Sequence, residues 1–595
     1  MPVLKYHLVT VEITKESFHG GLVKVRPNSL LATRAALRHS NSWPKSVERI
    51  PIAEDPWLVP KHAESLSHES NFWYQNLLAP ISTALAELTG INWSTRSWEI
   101  LIGPWLRSFS FVATEKKCFL EINGLHETLE TISEANLDLK EVNSMEQWTQ
   151  LTLEVELHSY LFQEVAQTFG ITPLREGFGA RGHAVPIEQA NTTRKTLGQI
   201  VHAFGKLTKN NKYMLHKTYL PRVNEARLAM ALGQLPVPSD RFHKIRVRSI
   251  NPSLRRILKE RLKARNSRGE YAAKLFDLAA DLLPTNYLEG IGDLESACKA
   301  LNWPTKPRVV FDSNGYWADD VFKYYAADQV SQGSRLVVGQ HGGMMGSSKW
   351  VHQLDHQLSI ADKFLSWGWS SSHNKKIVPV GVLKPIREIR PKLRGSAVMP
   401  LLSLPTYPYD NSAFPIGISG WEAYFQDQLN FLKSLKKLGD EEIQIRNYPK
   451  DRGNLVTERL SEIHRRNVVQ PTKPLVADLH KYRLAIVTYN STTLLETLAS
   501  NFPTVAFWNF SSWPVSEEAI EAFDGLVAAK ILFSTPKAAA DHLEEIWHDI
   551  DGWWLDPMVH GYRMAFADQF ARKLELKNLS QTLRHEAIAT YSSTI

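Results

Sequence analysis

The stretch "LVVGQHGGMMGSSKW", residues 336–350, places an imidazole at the end of a short apolar run and surrounds it with glycine. Leu336, Val337 and Val338, closed by Gly339, predict a buried strand, so Gln340 and His341 fall at its carboxyl end. Gly342, Gly343 and Gly346 are expected to take positive φ angles and to let another molecule come close to the main chain. With an unperturbed pKa of about 6.5, His341 suits two tasks: general base on an acceptor hydroxyl, or, when protonated, ligand for a phosphate. Asp312, which closes the strand "VVFD", is the rival base; Asp319 and Asp320 fall on the following helix and are weaker choices. His352 and His356 have i, i+4 spacing without a third ligand, so no zinc site is expected. Cys118 and Cys298 read as small buried hydrophobes.

Two further loops have residues suited to an anion. In "LAIVTYNSTTLLETLASNFPTVAF", residues 484–507, a strand delivers Asn490, Ser491, Thr492 and Thr493 to the start of a helix. The free N–H groups and dipole there suit a phosphate. A capping box of Thr493 with Glu496 explains the same residues without any ligand. In "IQIRNYPKDRGN", residues 443–454, a strand ends in Arg446, Tyr448, Pro449, Lys450, Asp451 and Arg452. Arg446, Lys450 and Arg452 suit a diphosphate or carboxylate, and Tyr448 can hydrogen-bond or stack, while ion pairing with Asp451 is the plainer explanation.

Such loops need strands and helices behind them. "RVVFDS", the helix "WADDVFKYYAADQVSQG" and "RLVVGQHGG" make a βαβ unit, extended by "KFLSWGW" and "KIVPVGVL". After the linker "KPIREIRPKLRGS" the βα alternation restarts with the strands "AVMPLLSL", "EIQIRNYP", "NVVQ", "LAIVTYNS" and "PTVAFWN". The expected fold class is α/β: two doubly wound Rossmann-type domains facing a cleft, with helical additions in the N-terminal half, since doubly wound sheets bind ligands at the carboxyl ends of their strands. The expected divisions are an acceptor-side domain over 1–390, a donor domain over 391–560, and C-terminal helices over 561–595 that pack back across the cleft. A strand at "YHLVTVEI" and core helices in "SWEILIGPWLRSFSFVATEKKCFLEI" and "WTQLTLEVELHSYLFQEVAQTFG" complete the first half.

At 595 residues the chain exceeds one ordinary core, and 43% hydrophobic with 22% charged residues is globular composition. No apolar run approaches the roughly 20 residues of a membrane span and no signal-peptide pattern opens the chain, so a cytoplasmic location is expected. The net charge of +7 is partly concentrated in residues 241–269. There Arg255, Arg256, Lys259 and Lys263 are candidates for peripheral contact with an anionic inner membrane face, or, on a different reading, for nucleic acid.

The pair "RNYPKD" and "NSTTLLETLASNFPTVAFW" resembles the donor domain of GT-B glycosyltransferases close to the capsule, sialic-acid and Kdo transferases that use CMP-activated sugars. "VVGQHGGMMGSSKW", "HQLSIADKFLSWGW" and "SWEILIGPWL" resemble, more specifically, a bacterial family of surface-polysaccharide transferases first labelled from Leptospira O-antigen loci, over residues 97–570. The resemblance implies that Ser491 and Thr492 bind the donor phosphate, that Glu496 contacts donor sugar or ribose, and that Arg446 with the Pro449–Lys450 turn forms the other donor wall. It also implies a metal-independent enzyme without cofactor, a nucleotide sugar (a CMP-sugar) as donor, a glycan or lipid-linked glycan as acceptor, and no nucleic-acid partner. Related enzymes have His-Pro where this chain has Tyr448-Pro449, so an imidazole at the phosphate does not carry over. The alternatives are a glycerol- or ribitol-phosphate transferase of similar architecture and a non-catalytic nucleic-acid binder using the basic stretch.

Overall fold

The computed structural model describes the strands Tyr6–Val9 and Ser29–Leu31 and most of residues 51–592. Outside the described residues lie 1–5, 10–28, 32–50, 126–128, 133–140, 172–207, 237–244, 266–268, 403–417, 449–455, 457–459, 461–467 and 593–595, with a few single positions. Strands β1 (Tyr6–Val9), β2 (Ser29–Leu31) and β3 (Leu129–Ile132) form a small parallel sheet in the order β2-β1-β3.

The first large sheet contains β4 (Tyr213–His216), β5 (Val309–Asp312), β6 (Arg335–Gly339), β7 (Lys363–Ser366) and β8 (Ile377–Pro379), all parallel and adjacent in chain order. Its strands are apolar on both faces because both are covered. Met214, Val310, Leu336, Val338 and Phe364 join the main core, while Leu215, Phe311, Val337 and Leu365 pack against Leu228, Leu579, Leu583 and Ala587. The helices Pro60–Thr89 and Thr95–Ile122 pair and help to build that main core, with Trp98 and Trp105 fully buried. Pro60 at the first turn and left-handed Gly90 bound the former, and Ser94 caps the latter.

The second large sheet contains β9 (Ala397–Pro400), β10 (Ile443–Arg446), β11 (Val468–Val469), β12 (Ala485–Val487), β13 (Thr504–Phe507) and β14 (Leu532–Phe533). Its order is β11-β10-β9-β12-β13-β14, parallel throughout. Numbered within the sheet this is 3-2-1-4-5-6, the Rossmann order, whose ligand crevice opens where the order reverses, here between the ends of β9 and β12. With two parallel α/β sheets in one chain the architecture is GT-B-like, as expected from the sequence, but only the second sheet is doubly wound. The strands of the first run in chain order without a reversal, because each connection there moves on in the same direction.

The chain returns to the first domain at its end. The helix Pro557–Phe570 packs on the helix Ile520–Ala528, the Arg572 N–H donates to the Trp367 carbonyl (2.8 Å), and the Val382 N–H donates to the Arg572 carbonyl (2.9 Å). The helix Leu576–Ser592 then covers the outer face of the first sheet, where Glu586 pairs with Arg335 at 2.7 Å. Gly368 and Gly381 make the crossing possible: both have positive φ (142° and 102°), and a Cβ on either would lie within 3 Å of the returning backbone.

Most of the described cations of the basic stretch are paired internally. On the helix Pro252–Lys263, Arg255 is buried, held by Glu289 (2.7 Å) and the carbonyls of Ala280 and Leu283. Lys259 pairs with Asp281, Lys263 with Asp277, and both Arg261 and Arg265 with Glu87. The acids that neutralise this helix come from elements distant in sequence, so a charge count along the segment could not reveal them. No helix among the described residues is long and apolar enough to cross a membrane.

Candidate active site between the two sheets

The loop after β6 holds His341 by a knot of hydrogen bonds centred on Gln340. The buried Gln340 Oε1 accepts from the Trp367 N–H and from Trp369 Nε1, both at 2.8 Å, and its Nε2 donates to the Gly342 carbonyl at 2.8 Å. Gln340 therefore fixes the shape of the loop that carries His341. His341 lies beside Tyr219 (ring centroids 6.3 Å apart, nearly parallel) and Tyr316 (6.1 Å), and its Nδ1 is buried without a hydrogen-bond partner. Burial, then the nearby Lys384 charge, push its pKa down to about 4, against a hydrogen bond with Gln353. The ring is neutral at pH 7 in the unliganded chain, the form in which an imidazole can accept a proton.

The loop also touches the second domain. The Gly343 N–H donates to Thr492 Oγ1 at 2.9 Å, and Asn490 Nδ2 donates to Ser348 Oγ at 3.4 Å. Ser348 bridges Val515, the Lys349 N–H donates to the Pro514 carbonyl at 3.0 Å, and Ser516 Oγ donates to the Gly346 carbonyl at 2.8 Å. A Cβ on Gly343 would sit 2.6 Å from Thr492 Cα, so glycine here serves the close approach of this chain's own second domain, where the sequence suggested that of another molecule. Gly342 has open space around it, and of the three glycines only Gly346 has a positive φ, with Trp369 packed where a Cβ would be.

Around the helix start the residues divide between structure and site. The helix is Thr492–Ala499 and Ser491 is its N-cap, yet the Ser491 side chain caps nothing. Thr493 Oγ1 is bonded to the Tyr489 hydroxyl at 3.0 Å, and Glu496 faces Lys384 at 3.7 Å. The Thr493–Glu496 capping box is therefore not formed. Burial raises the Glu496 pKa and Lys384 pulls it back. The switch point is tied together by the Tyr424 hydroxyl, which accepts from the Leu402 N–H (3.0 Å) and bonds Thr488 Oγ1 (2.8 Å).

The companion loop is less available than its composition suggests. Arg446 is buried, with Nη1 3.0 Å from Asp478 Oδ2 and Nη2 bonded to the Lys473 carbonyl, so its guanidinium braces β10. Tyr448 is half-buried and close enough to Tyr489 to raise that phenol's pKa, after burial and against the Thr493 hydrogen bond; the result is about 12. Lys450, with Pro449, Asp451 and Arg452, lies outside the described residues.

Asp312 does not offer a free carboxylate. It is fully buried: Oδ1 accepts from His216 Nδ1 (2.8 Å) and the Gly315 N–H (2.9 Å), and Oδ2 accepts from the Tyr316 N–H (3.0 Å). It orients His216 and starts the turn that carries Tyr316 past His341. His216 ends β4, a strand absent from the sequence expectation, and is followed by Lys217 and Tyr219 at φ 37° and 63°. Non-glycine residues at such angles cost about 1 to 3 kcal/mol each and concentrate at functional sites. Lys217 pairs with Asp319 at 2.8 Å; burial works against that carboxylate, but Lys217 and His216 outweigh it and hold its pKa below the ordinary range. Asp320 is buried in a separate network with Tyr287, Asn286 and Lys323. Lys384, in the linker, and Tyr219 are functional candidates that sequence reasoning missed. A His-Lys-x-Tyr after the three-residue apolar run "YML" was the available signal for the second.

Among the described residues one cluster, Glu69, Cys118 and Glu121, has metal-ligand types within reach of one another. Lys117 sits 2.9 Å from both carboxylates and already supplies the balancing charge. His352 and His356 are buried apart from it, His356 against the Glu99 carbonyl.

A sheet in Rossmann order, whose helix start is bonded to a histidine loop of a second parallel sheet, is the setting in which the family comparison has to be read. The model of the LIC12162 family transferase matches residues 35–584. The chain belongs to that family. No curated protein matches the sequence. Among solved structures, MurG of Acinetobacter baumannii is similar at 11% identity, covering 50% of this chain and 80% of that one with a TM-score of 0.28. That overlap is too loose to support an argument, and the fold of this LIC12162 family transferase rests on its own two sheets.

Proposed function

We propose that this transferase is a metal-independent glycosyltransferase that moves a CMP-activated acidic sugar, nonulosonic or Kdo-like, onto a surface-polysaccharide or lipid-linked glycan acceptor. The observation that carries the reading is the 2.9 Å bond from the Gly343 N–H to Thr492 Oγ1, which sets a neutral, unpartnered His341 Nδ1 close to a helix start at the switch point. In this reading the donor phosphate lies at Ser491 and the N–H groups that follow it, with Tyr448 and Tyr489 alongside. The acceptor hydroxyl gives its proton to His341 as its oxygen bonds the anomeric carbon, and the bond from that carbon to the phosphate oxygen breaks, releasing CMP. General base help of this kind contributes about 10²- to 10⁴-fold.

A thermal-shift screen against CMP, CDP, UDP and GDP tests the donor class, because only a bound ligand raises stability. Selective stabilisation by CMP is the expected result. Selective stabilisation by CDP points instead to glycerol- or ribitol-phosphate transfer, and indifference to all four removes the nucleotide-sugar reading.

A further inference from the structure

Lys384 leaves the first sheet at the point where the chain passes to the second domain, within the plain sequence "GVLKP". The backbone before it is rigidly held: Val380 N–H donates to the Ser366 carbonyl (3.1 Å), Val382 is bonded to the returning Arg572, and Leu383 is fully buried. Its ammonium lies 5.4 Å from the Tyr219 ring centre and 5.8 Å from that of Trp367, so two aromatic faces flank it. It is also near enough to His341 for its charge to act there.

We propose that Lys384 binds the anionic group of the donor, and that Glu496 is a stand-in anion that holds the lysine in place until the donor arrives. The inference rests on the transferase reading above and assigns a residue to its charge recognition. The Lys384–Glu496 separation of 3.7 Å is long for a charge-assisted hydrogen bond, which usually spans about 2.7 to 2.9 Å. Both side chains keep 26% of their surface exposed, and Lys384 is the one cation beside the Glu496 carboxylate among the described residues. Glu496 stands four residues into the Thr492–Ala499 helix, about 6 Å along the axis from its start. An anion at the helix start therefore lies within a lysine's swing of the Glu496 contact. Leaving a loosely held, partly exposed carboxylate for a phosphate or carboxylate backed by N–H groups is a short move between two anions. The shared chemistry is an oxyanion, either the donor phosphate or the carboxylate of an acidic sugar.

The test is calorimetric titration of the full chain, as wild type, Lys384→Met and Glu496→Gln, with pyrophosphate, CMP and a CMP-linked nonulosonic acid. Methionine keeps the apolar stem between Tyr219 and Trp367, and thermal melts verify that each variant is folded. If the phosphate is the target, Lys384→Met weakens pyrophosphate and CMP by about tenfold or more. If the sugar carboxylate is the target, CMP binds as before and only the sugar nucleotide loses about tenfold. In both cases Glu496→Gln tightens the affected probe, because the competing carboxylate is gone. Unchanged affinity of Lys384→Met for every probe overturns the inference and leaves the donor site standing. Parallel weakening in both variants also overturns it, since an ion pair that only braces the domains gives that result. A wild-type chain that binds pyrophosphate through Lys384 but no nucleotide overturns the nucleotide-sugar reading instead, and one that binds no probe overturns both.

Discussion

The carboxyl edges of the two sheets are built by opposite means. At the second sheet the edge is regular: strand order reverses, a helix begins at Thr492, and Arg446 at the end of β10 is turned inward to Asp478. What remains open there among the described residues is main chain and small hydroxyls. At the first sheet the edge is irregular: Lys217 and Tyr219 sit at positive φ, Gln340 is tied into a knot, and side chains such as His341 and Tyr219 are what the backbone presents. An edge made of N–H groups suits a ligand recognised by charge, and an edge made of constrained side chains suits proton transfer. The contrast predicts that mutations on one side change binding and mutations on the other change turnover.

The largest expected effect follows from that division. His341→Ala lowers turnover by about 10²- to 10⁴-fold while CMP affinity stays near wild type, because the imidazole acts on the acceptor and not on the donor. Steady-state rates and calorimetry on the same preparation check it. Equal losses in both would place His341 in the donor site and erase the contrast.

Acid should loosen the two sides unequally. His341, His352 and His356 all belong to the first domain and have pKa values pushed down mainly by burial, to about 4, 3 and 3. The unfolded chain takes these protons first, at about pH 6.5, so the stability tied to them is complete above that pH and is lost as pH falls towards the folded values. The slope is up to about 1.4 kcal/mol per pH unit for each group. Hydrogen exchange at pH 7 and pH 5 should therefore show protection falling around β5 and β6 before β12 and β13, and simultaneous loss in both domains would contradict the assignment.

How much of this could be read from the chain depended on whether a feature is local. Runs such as "LVVG" and "LAIV" show strands because every residue in them is buried, and the order of βα units gave the Rossmann sheet. That Gly343 needs to be small was legible, but not that its neighbour is Thr492 of the same chain. The thirty-residue helix Pro60–Thr89 was not singled out, and β4 was missed because "YMLH" is short and lacks flanking glycine or proline. Arg446 and Arg255 read as ligands because their partners, Asp478 and Glu289, are distant in sequence. Lys384 was hidden for the converse reason: its neighbours Tyr219, Trp367 and Glu496 come from three separate segments.

Where the two edges meet, two adjacent glycines separate close approach from mere flexibility. Gly343→Ala puts a methyl 2.6 Å from Thr492 Cα and should cost about 1 to 3 kcal/mol as the domains shift apart, seen as a lower melting temperature and lower turnover. Gly342→Ala meets nothing within 4 Å and should be close to silent in both measurements. Equal effects at the two positions would mean that the contact with Thr492 does not set the domain spacing.

The smallest effect tests the donor side alone. Ser491 occupies the N-cap position of the Thr492–Ala499 helix, yet its hydroxyl makes no capping bond. An N-cap serine that caps nothing adds little to stability, so Ser491→Ala should leave the melting temperature unchanged, within about 0.5 kcal/mol. If the hydroxyl instead donates to the donor phosphate, its loss removes a hydrogen bond to a charged group, and CMP affinity falls by about tenfold. Thr492 is a poorer probe, because its Oγ1 accepts from the Gly343 N–H and its removal would disturb the first domain as well. Melting curves and CMP titration of Ser491→Ala separate the possibilities. A drop of about 1 kcal/mol in stability with unchanged affinity would make Ser491 an ordinary cap, and the assignment of charge recognition to this edge would pass from its hydroxyl to the backbone N–H groups and Lys384.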